Sequence, residues 1–242
     1  MIFPPLKPIV SSTMTFGNRF YSFCTSLQFN GSLPRGIHIL NPYVHVEVRS
    51  CVQQFCNRYY ADNTPRLSIW GINPGRLGGG CTGLSFTDPV ILREECGINN
   101  TLGEHRELSA TYVWSVIKDF GGAEAFFRNF FLTALCPLGL VRQAQHGAFL
   151  NCNFYDSPRL FNATKNFIIA SLQQQQHLGL RHDVAVCLGS GKLHTIFTKL
   201  NHEHKFFQRI LALEHPRFIM QYRRQHLAKY RQNYVDTLRM LV

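Results

Sequence analysis

Four short runs in this chain combine apolar with β-branched or aromatic residues: RLSIWG at 66–71, FFLTALCPL at 130–138, DVAVCLG at 183–189 and RILALEHP at 209–216. Segments long enough to form helices separate them. Parallel strands need crossovers of that length, so the alternation predicts a mainly parallel sheet covered by helices on both faces. The expected fold class is α/β, a three-layer α/β/α sandwich around a central, mainly parallel four-stranded sheet. A chain of 242 residues with 45% hydrophobic content can bury a core of that size.

Periodicity places the helices. VHVEVRSCVQQFCNRYYA (44–61) reads as an amphipathic helix ended by the turn DNTP. DPVILREECGI reads as a short helix with Asp88 as its cap and Pro89 at its first position. LSATYVWSVIKDFGG is expected to be capped by Ser109 and stopped by Gly121. NATKNFIIASLQQQQHLG and SGKLHTIFTKLN follow as helices, and residues 218–241 read as one long basic C-terminal helix. Residues 1–44, with one helix around Thr13 to Leu27, are expected to form an extension packed on a main domain at 45–242.

The formal charge is +11, from 25 Lys and Arg against 14 Asp and Glu, and points to a polyanionic partner, nucleic acid or acidic lipid. The eight cysteines form no CxxC pair and sit mostly in apolar runs, which favours reduced thiols over a disulfide frame or a metal site. The opening MIFPPLKPIV is interrupted by prolines where a signal peptide needs an unbroken apolar region, and no segment approaches the length of a membrane span. The expected location is the cytoplasm, with the nucleoid in a bacterium or the nucleus in a eukaryote.

In parallel sheets ligands bind where loops leave the carboxyl ends of the strands. Two such loops carry chemistry here: GINPGRLGGGCTGLSF after the first strand and EHPR after the last. Glycines at 75, 78, 79, 80 and 83 allow backbone amides to approach an anion closely. Taken singly, the residues have ordinary structural readings: Asn73 before Pro74 as a turn residue, His215 before Pro216 as a loop histidine, Phe86 as a core ring. GSGK at 189–192 lacks both the spacing of a Walker loop and the hydroxyl residue after the lysine, and reads as a helix N-terminus.

Together, GINPG, GGGCTGLSF and the later HPR resemble the uracil-DNA glycosylase superfamily, and most closely its single-strand-selective monofunctional family, in a divergent bacterial branch. That family's first motif has the form GMNPGPFGMAQTGVPFG, matched at Gly71, Asn73, Pro74, Gly75, Gly78, Thr82, Gly83 and Phe86. Its second motif is represented by His215 and Pro216.

The resemblance implies a DNA repair enzyme that flips a deaminated base, uracil and also xanthine or other damaged bases, and hydrolyses its glycosidic bond. Asn73 and His215 would be catalytic. Phe86, Gly71, Ile72, Gly75 and Gly79 would surround the base, and Gly83, Arg217, Arg223 and Arg224 would contact the DNA. No metal or organic cofactor is implied, the partner is single- or double-stranded DNA carrying a damaged base, and a monomer is expected. Two positions depart from the pattern: Ala134 stands where the family carries the asparagine that pairs with the uracil edge, and Arg217 replaces a serine. Asn151, Asn153 and Tyr155 are candidates for base recognition in place of that asparagine. Two other functions stay open: a catalytically silent nucleic-acid-binding module on the same fold, and a phosphate-ligand binder using the glycine loop alone.

Overall fold

The computed structural model describes residues 14–144 and 147–242; Thr13 and the opening prolines lie outside the described residues. Its centre is a four-stranded sheet in the order β3-β2-β6-β7, formed by β2 (Arg66–Gly71), β3 (Phe130–Ala134), β6 (Leu180–Leu188) and β7 (Arg209–Leu213). Every pairing in it is parallel. β2 is buried at every residue, as expected of an inner strand covered on both faces.

Successive strand residues point to opposite faces, and here each face meets its own helices. Phe130 packs edge-on to Phe120 of α5 (Leu108–Phe120) and against Phe126 of α6 (Ala123–Asn129), while Phe131 meets Phe16 and Phe20 of α1 (Phe16–Ser26). Along β2, Ile69 joins Val113 and Val116 of α5 and Leu238 of α10 (Leu227–Arg239). Its neighbour Trp70 turns the other way, 5.5 Å from the ring of Phe197 in α8 (Lys192–His204). This is the three-layer α/β/α arrangement that the alternating pattern predicts.

The start of β2 is locked by Arg66, a charge with no exposed surface. Its guanidinium donates to the carbonyls of Phe127, Thr64 and Tyr59 and to Asp62, and lies 4.7 Å and 4.8 Å from the ring centroids of Phe16 and Tyr60. One side chain thereby ties α1, the end of α2 (Val46–Tyr59) and the sheet together.

Three local expectations are corrected. The residues read as one C-terminal helix form α9 (Pro216–Tyr222), a 3-10 turn at Arg224–His226, and α10. Ile219 anchors α9 and Tyr234, Val235 and Leu238 anchor α10, but the polar stretch between them offers nothing to bury, so the chain changes direction at Arg223. At α5 the capping position is Glu107, not Ser109, and its N–H donates to Asp88 Oδ2 at 2.9 Å. Asp88 does cap α4 (Pro89–Glu94), its Oδ1 accepting from Ile91 N at 2.8 Å. The strand read through Leu138 stops at Ala134, and Gly139 opens β4.

That β4 (Gly139–Gln143) belongs to a second, antiparallel sheet of order β1-β4-β5, with β1 at Ile37–Leu40 and β5 at Phe149–Asn151. Sequence reading missed it because its outer strands are too short to show a period. α3 (Gly79–Thr82) and α7 (Pro158–Gln176) complete the elements used below. Among the described residues no helix is long and apolar enough to cross a membrane.

Candidate active site

The carboxyl ends of β2, β3 and β7 open into one cavity of about 270 Å³. Gly71, Ile72 and Asn73 enter it from β2, Ala134 from β3, and His215 from the loop after β7. Gly75, Gly79, Phe86 and Arg217 border it as well, so most of the residues singled out in the two distant motifs meet here. The register explains the meeting: Gly71 pairs with Ala134 at the last step of the β2–β3 ladder, and Leu135 N and Cys136 N then donate to Gly71 O and Ile72 O.

Phe86 has φ of +55°, a left-handed conformation that costs a residue with a side chain roughly 1–2 kcal/mol. This turn sends its ring back over the end of β2: a Cβ built on Gly71 would stand 2.7 Å from Phe86 Cζ. Only a glycine at position 71 leaves room for the ring. The loop between them is held by its own backbone, with Gly78 N and Gly80 N donating to Gly75 O and with Thr82 Oγ1 donating to Thr87 O at 2.6 Å.

Asn73 is fixed at both ends of its amide. Nδ2 donates to Cys152 O and Oδ1 accepts from Phe154 N, each at 3.1 Å. A carbonyl only accepts and a backbone N–H only donates, so these partners determine which amide atom is which. Oδ1 keeps a second lone pair for a ligand or water at the cavity. Cys152 follows β5 directly, so the small sheet that sequence reading missed holds the side chain in place.

His215 caps α9: its Nδ1 accepts from Arg217 N at 3.1 Å. Nδ1 is therefore unprotonated, and the neutral ring carries its proton on Nε2. Burial, reinforced by the positive charge of Arg217, pulls the imidazole down to about 4. At neutral pH the cavity thus contains an uncharged N–H donor of fixed tautomer.

Sequence reading overlooked Glu107. Its carboxyl borders the cavity and lies against the glycine loop, so close that a Cβ on Gly75 would collide with Oε1 and one on Gly78 with Oε2. Burial pushes it up to about 7, the nearby Asp88 adds to the rise, and Arg217 opposes it. The polar stretch GEHRELS gave no sign of this, because the burial arises only when the first turn of α5 docks beside the loop. Phe218 and Tyr222 of α9 were also missed; they form an aromatic lip on the cavity, their ring centroids 5.6 Å apart.

The residues expected to contact DNA divide. Arg217 lines the cavity and is exposed. Arg223 lies over the Phe218 ring at 5.0 Å and borders the adjoining cleft. Arg224 is exposed on the 3-10 turn and borders neither. Gly83 lies away from the cavity: it is buried, with φ of +76°, beneath Tyr43, Val48 and Val52, and its carbonyl accepts from the Tyr43 hydroxyl at 2.8 Å. Its positive φ turns the loop there. Asn151 and Asn153 border the cavity, with Asn151 Oδ1 occupied by Arg76 N at 2.9 Å, whereas Tyr155 faces the adjoining cleft.

Comparison with known proteins agrees with this geometry. Among solved structures, that of SMUG2 from Pedobacter heparinus is 42% identical in sequence, covers 94% of this chain and 98% of its own, and superposes with a TM-score of 0.92. No curated protein sequence matches. A sequence model described as the uracil DNA glycosylase superfamily matches residues 58–239, a span that holds both motifs and all four strands of the central sheet, and the chain belongs to that superfamily.

Proposed function

We propose that this DNA glycosylase is monofunctional and removes deaminated bases, uracil and also xanthine or other damaged bases, from flipped nucleotides. The observation that carries the reading is the pairing, in one cavity, of a neutral His215 donor with a doubly anchored Asn73.

A base inside the duplex stack is out of reach, so the nucleotide turns out and its base enters the cavity against the Phe86 ring. As the C1′–N bond breaks, its electron pair moves onto the base, and the carbonyl oxygen that gathers this charge accepts a hydrogen bond from His215 Nε2–H. Asn73 Oδ1 orients a water whose oxygen bonds to C1′ of the oxocarbenium-like sugar, its surplus proton passing to solvent or to the departing base. Asparagine is too weak a base to deprotonate water early, so stabilisation of the leaving base dominates the acceleration. No lysine is among the described residues that line the cavity, which supports a hydrolytic step without a Schiff base.

Ala134 offers the base edge no side-chain hydrogen bond, so selection falls to backbone groups and to Asn151 and Asn153 at the rim. A pocket without a dedicated uracil partner suits a range of deaminated bases. The same reading has the protein work as a monomer inside the cell.

The test incubates the protein with single- and double-stranded oligonucleotides carrying uracil, xanthine or hypoxanthine, followed by alkaline cleavage of abasic sites. Abasic product that disappears in His215→Ala supports the reading and names the base. Intact DNA binding without product from any base would replace it with a silent DNA-binding module.

A further inference from the structure

Three depressions on this face join end to end. The catalytic cavity shares Ile72, His215 and Phe218 with a cleft of about 520 Å³ that passes over residues 189–193. That cleft shares Tyr155 and Lys192 with a slot of about 330 Å³ lying between α7 and α8. Nothing in the chemistry derived above uses the slot.

Its walls have two characters. Pro158 and Phe161 of α7 face Ile196 and Leu200 of α8 and make the inside apolar. The rim carries Lys165, Lys192 and Lys199 against a single carboxylate, Glu203, which stands 3.9 Å from Lys165. At the junction with the cleft, the Lys192 ammonium lies 5.1 Å from the Tyr155 ring centroid and donates to the Tyr155 carbonyl. An apolar slot with an excess of ammonium groups at its edge suits a planar base whose phosphates stay in solvent reach. It is poorly suited to a basic partner. Continuity with the catalytic cavity through Tyr155 and Lys192 argues for the same strand as occupant.

We infer that the slot between α7 and α8 holds an unpaired nucleotide of the substrate strand, a few positions from the base in the catalytic cavity. Its base packs against Phe161 and Ile196, and Lys165 and Lys199 meet its phosphates. This inference rests on the glycosylase reading above. It also supplies a physical reason for strand preference: a paired nucleotide cannot offer its base to the slot, so flanking single-stranded DNA binds more tightly than duplex.

The experiment uses uracil-containing single strands extended stepwise on the 5′ or the 3′ side, with affinity read by fluorescence anisotropy and cleavage read in the same samples. Extension on one side is expected to tighten binding about tenfold at one step. An abasic spacer at that step removes the gain if a base fills the slot, and spares it if phosphates alone are held. The double variant Lys165→Ala and Lys199→Ala, and separately Ile196→Glu, should bind and cleave the shortest strand as the parent does while losing the gain. Melting temperatures confirm that the variants are folded. A tightening that either the spacer or the variants leave intact, or no tightening on either side, overturns the slot. Normal cleavage without a length effect removes this inference alone, whereas length-dependent binding without cleavage of any strand removes the glycosylase reading and keeps the slot.

Discussion

The ring of Phe86 occupies the place where a side chain on Gly71 would stand, with 2.7 Å between Phe86 Cζ and a Cβ built at position 71. The two residues are thus coupled: the ring of Phe86 keeps this position only while β2 ends in a residue without a side chain. Gly71→Ala forces the ring aside and is expected to destabilise the protein by about 1–3 kcal/mol and to lower kcat/KM. Phe86→Ala removes the stacking surface and should lower kcat/KM through an energy of the order of 1–3 kcal/mol. In the double variant the clash is absent, so the losses in stability should fall short of their sum; strict additivity in a double-mutant cycle would refute the coupling.

Asn73 combines the two readings that the sequence offered separately, a side chain bonded to backbone and a group facing the ligand. Besides facing the cavity it bridges Cys152 O and Phe154 N, so Asn73→Ala should lower stability by about 1–3 kcal/mol in addition to reducing turnover at least about a hundredfold. Asn73→Asp retains an acceptor for Phe154 N and places an oxygen opposite Cys152 O, costing the bridge but keeping a water-orienting group. Its turnover should exceed that of Asn73→Ala even though both melt early. Equal turnover in the two variants would show that the bridge, not the free lone pair, is what activity needs.

The position of His215 below its ordinary 6.5, at about 4, sets a sign for acid stability. Above pH 6.5 folded and unfolded chains both hold the ring neutral. Between 6.5 and 4 only the unfolded chain takes up the proton, so stability falls as the pH is lowered through this window. His215→Asn, which keeps an N–H donor and does not titrate, should flatten that part of a urea-midpoint profile. An unchanged slope would place the acid sensitivity elsewhere. Turnover, for its part, should show no acid limb from this histidine near pH 6.5.

How far the sequence discloses this site depends on whether a feature is local. The central strands are runs of apolar residues, and Asn73, Phe86 and His215 lie in short motifs directly after them, so sheet and motif could be read together. Gly83 shares the motif but is sealed under Tyr43, a residue forty positions earlier whose approach no local pattern announces. Phe218 and Tyr222 looked like part of one long helix; that they form a lip on the cavity depends on how α9 docks, which no local pattern shows. The small sheet that carries Asn151 and anchors Asn73 joins β1, β4 and β5 across more than a hundred residues, and its outer strands, of three and four residues, are too short to betray a period.

Glu107 tests the other side of the same cavity. A carboxyl pushed up to about 7 changes charge near neutral pH, and its neighbours explain why: burial and the Asp88 carboxylate disfavour its charge, and Arg217 favours it. Unfolded, the group ionises near 4.5, so its protonated form supports the fold below that value and the support is lost as pH rises through 7. Glu107→Gln fixes the neutral form and should stabilise the protein at pH 8 by roughly 1–3 kcal/mol while changing little at pH 4. Ionised, the carboxylate also faces the phosphates that the glycine loop and Arg217 would meet, so DNA affinity should weaken between pH 6 and 8 in the parent and stay level in Glu107→Gln. Titration of both proteins with a uracil-containing single strand at constant ionic strength checks this. Parallel pH profiles would mean that the charge of Glu107 is taken up by Arg217 and never reaches the DNA.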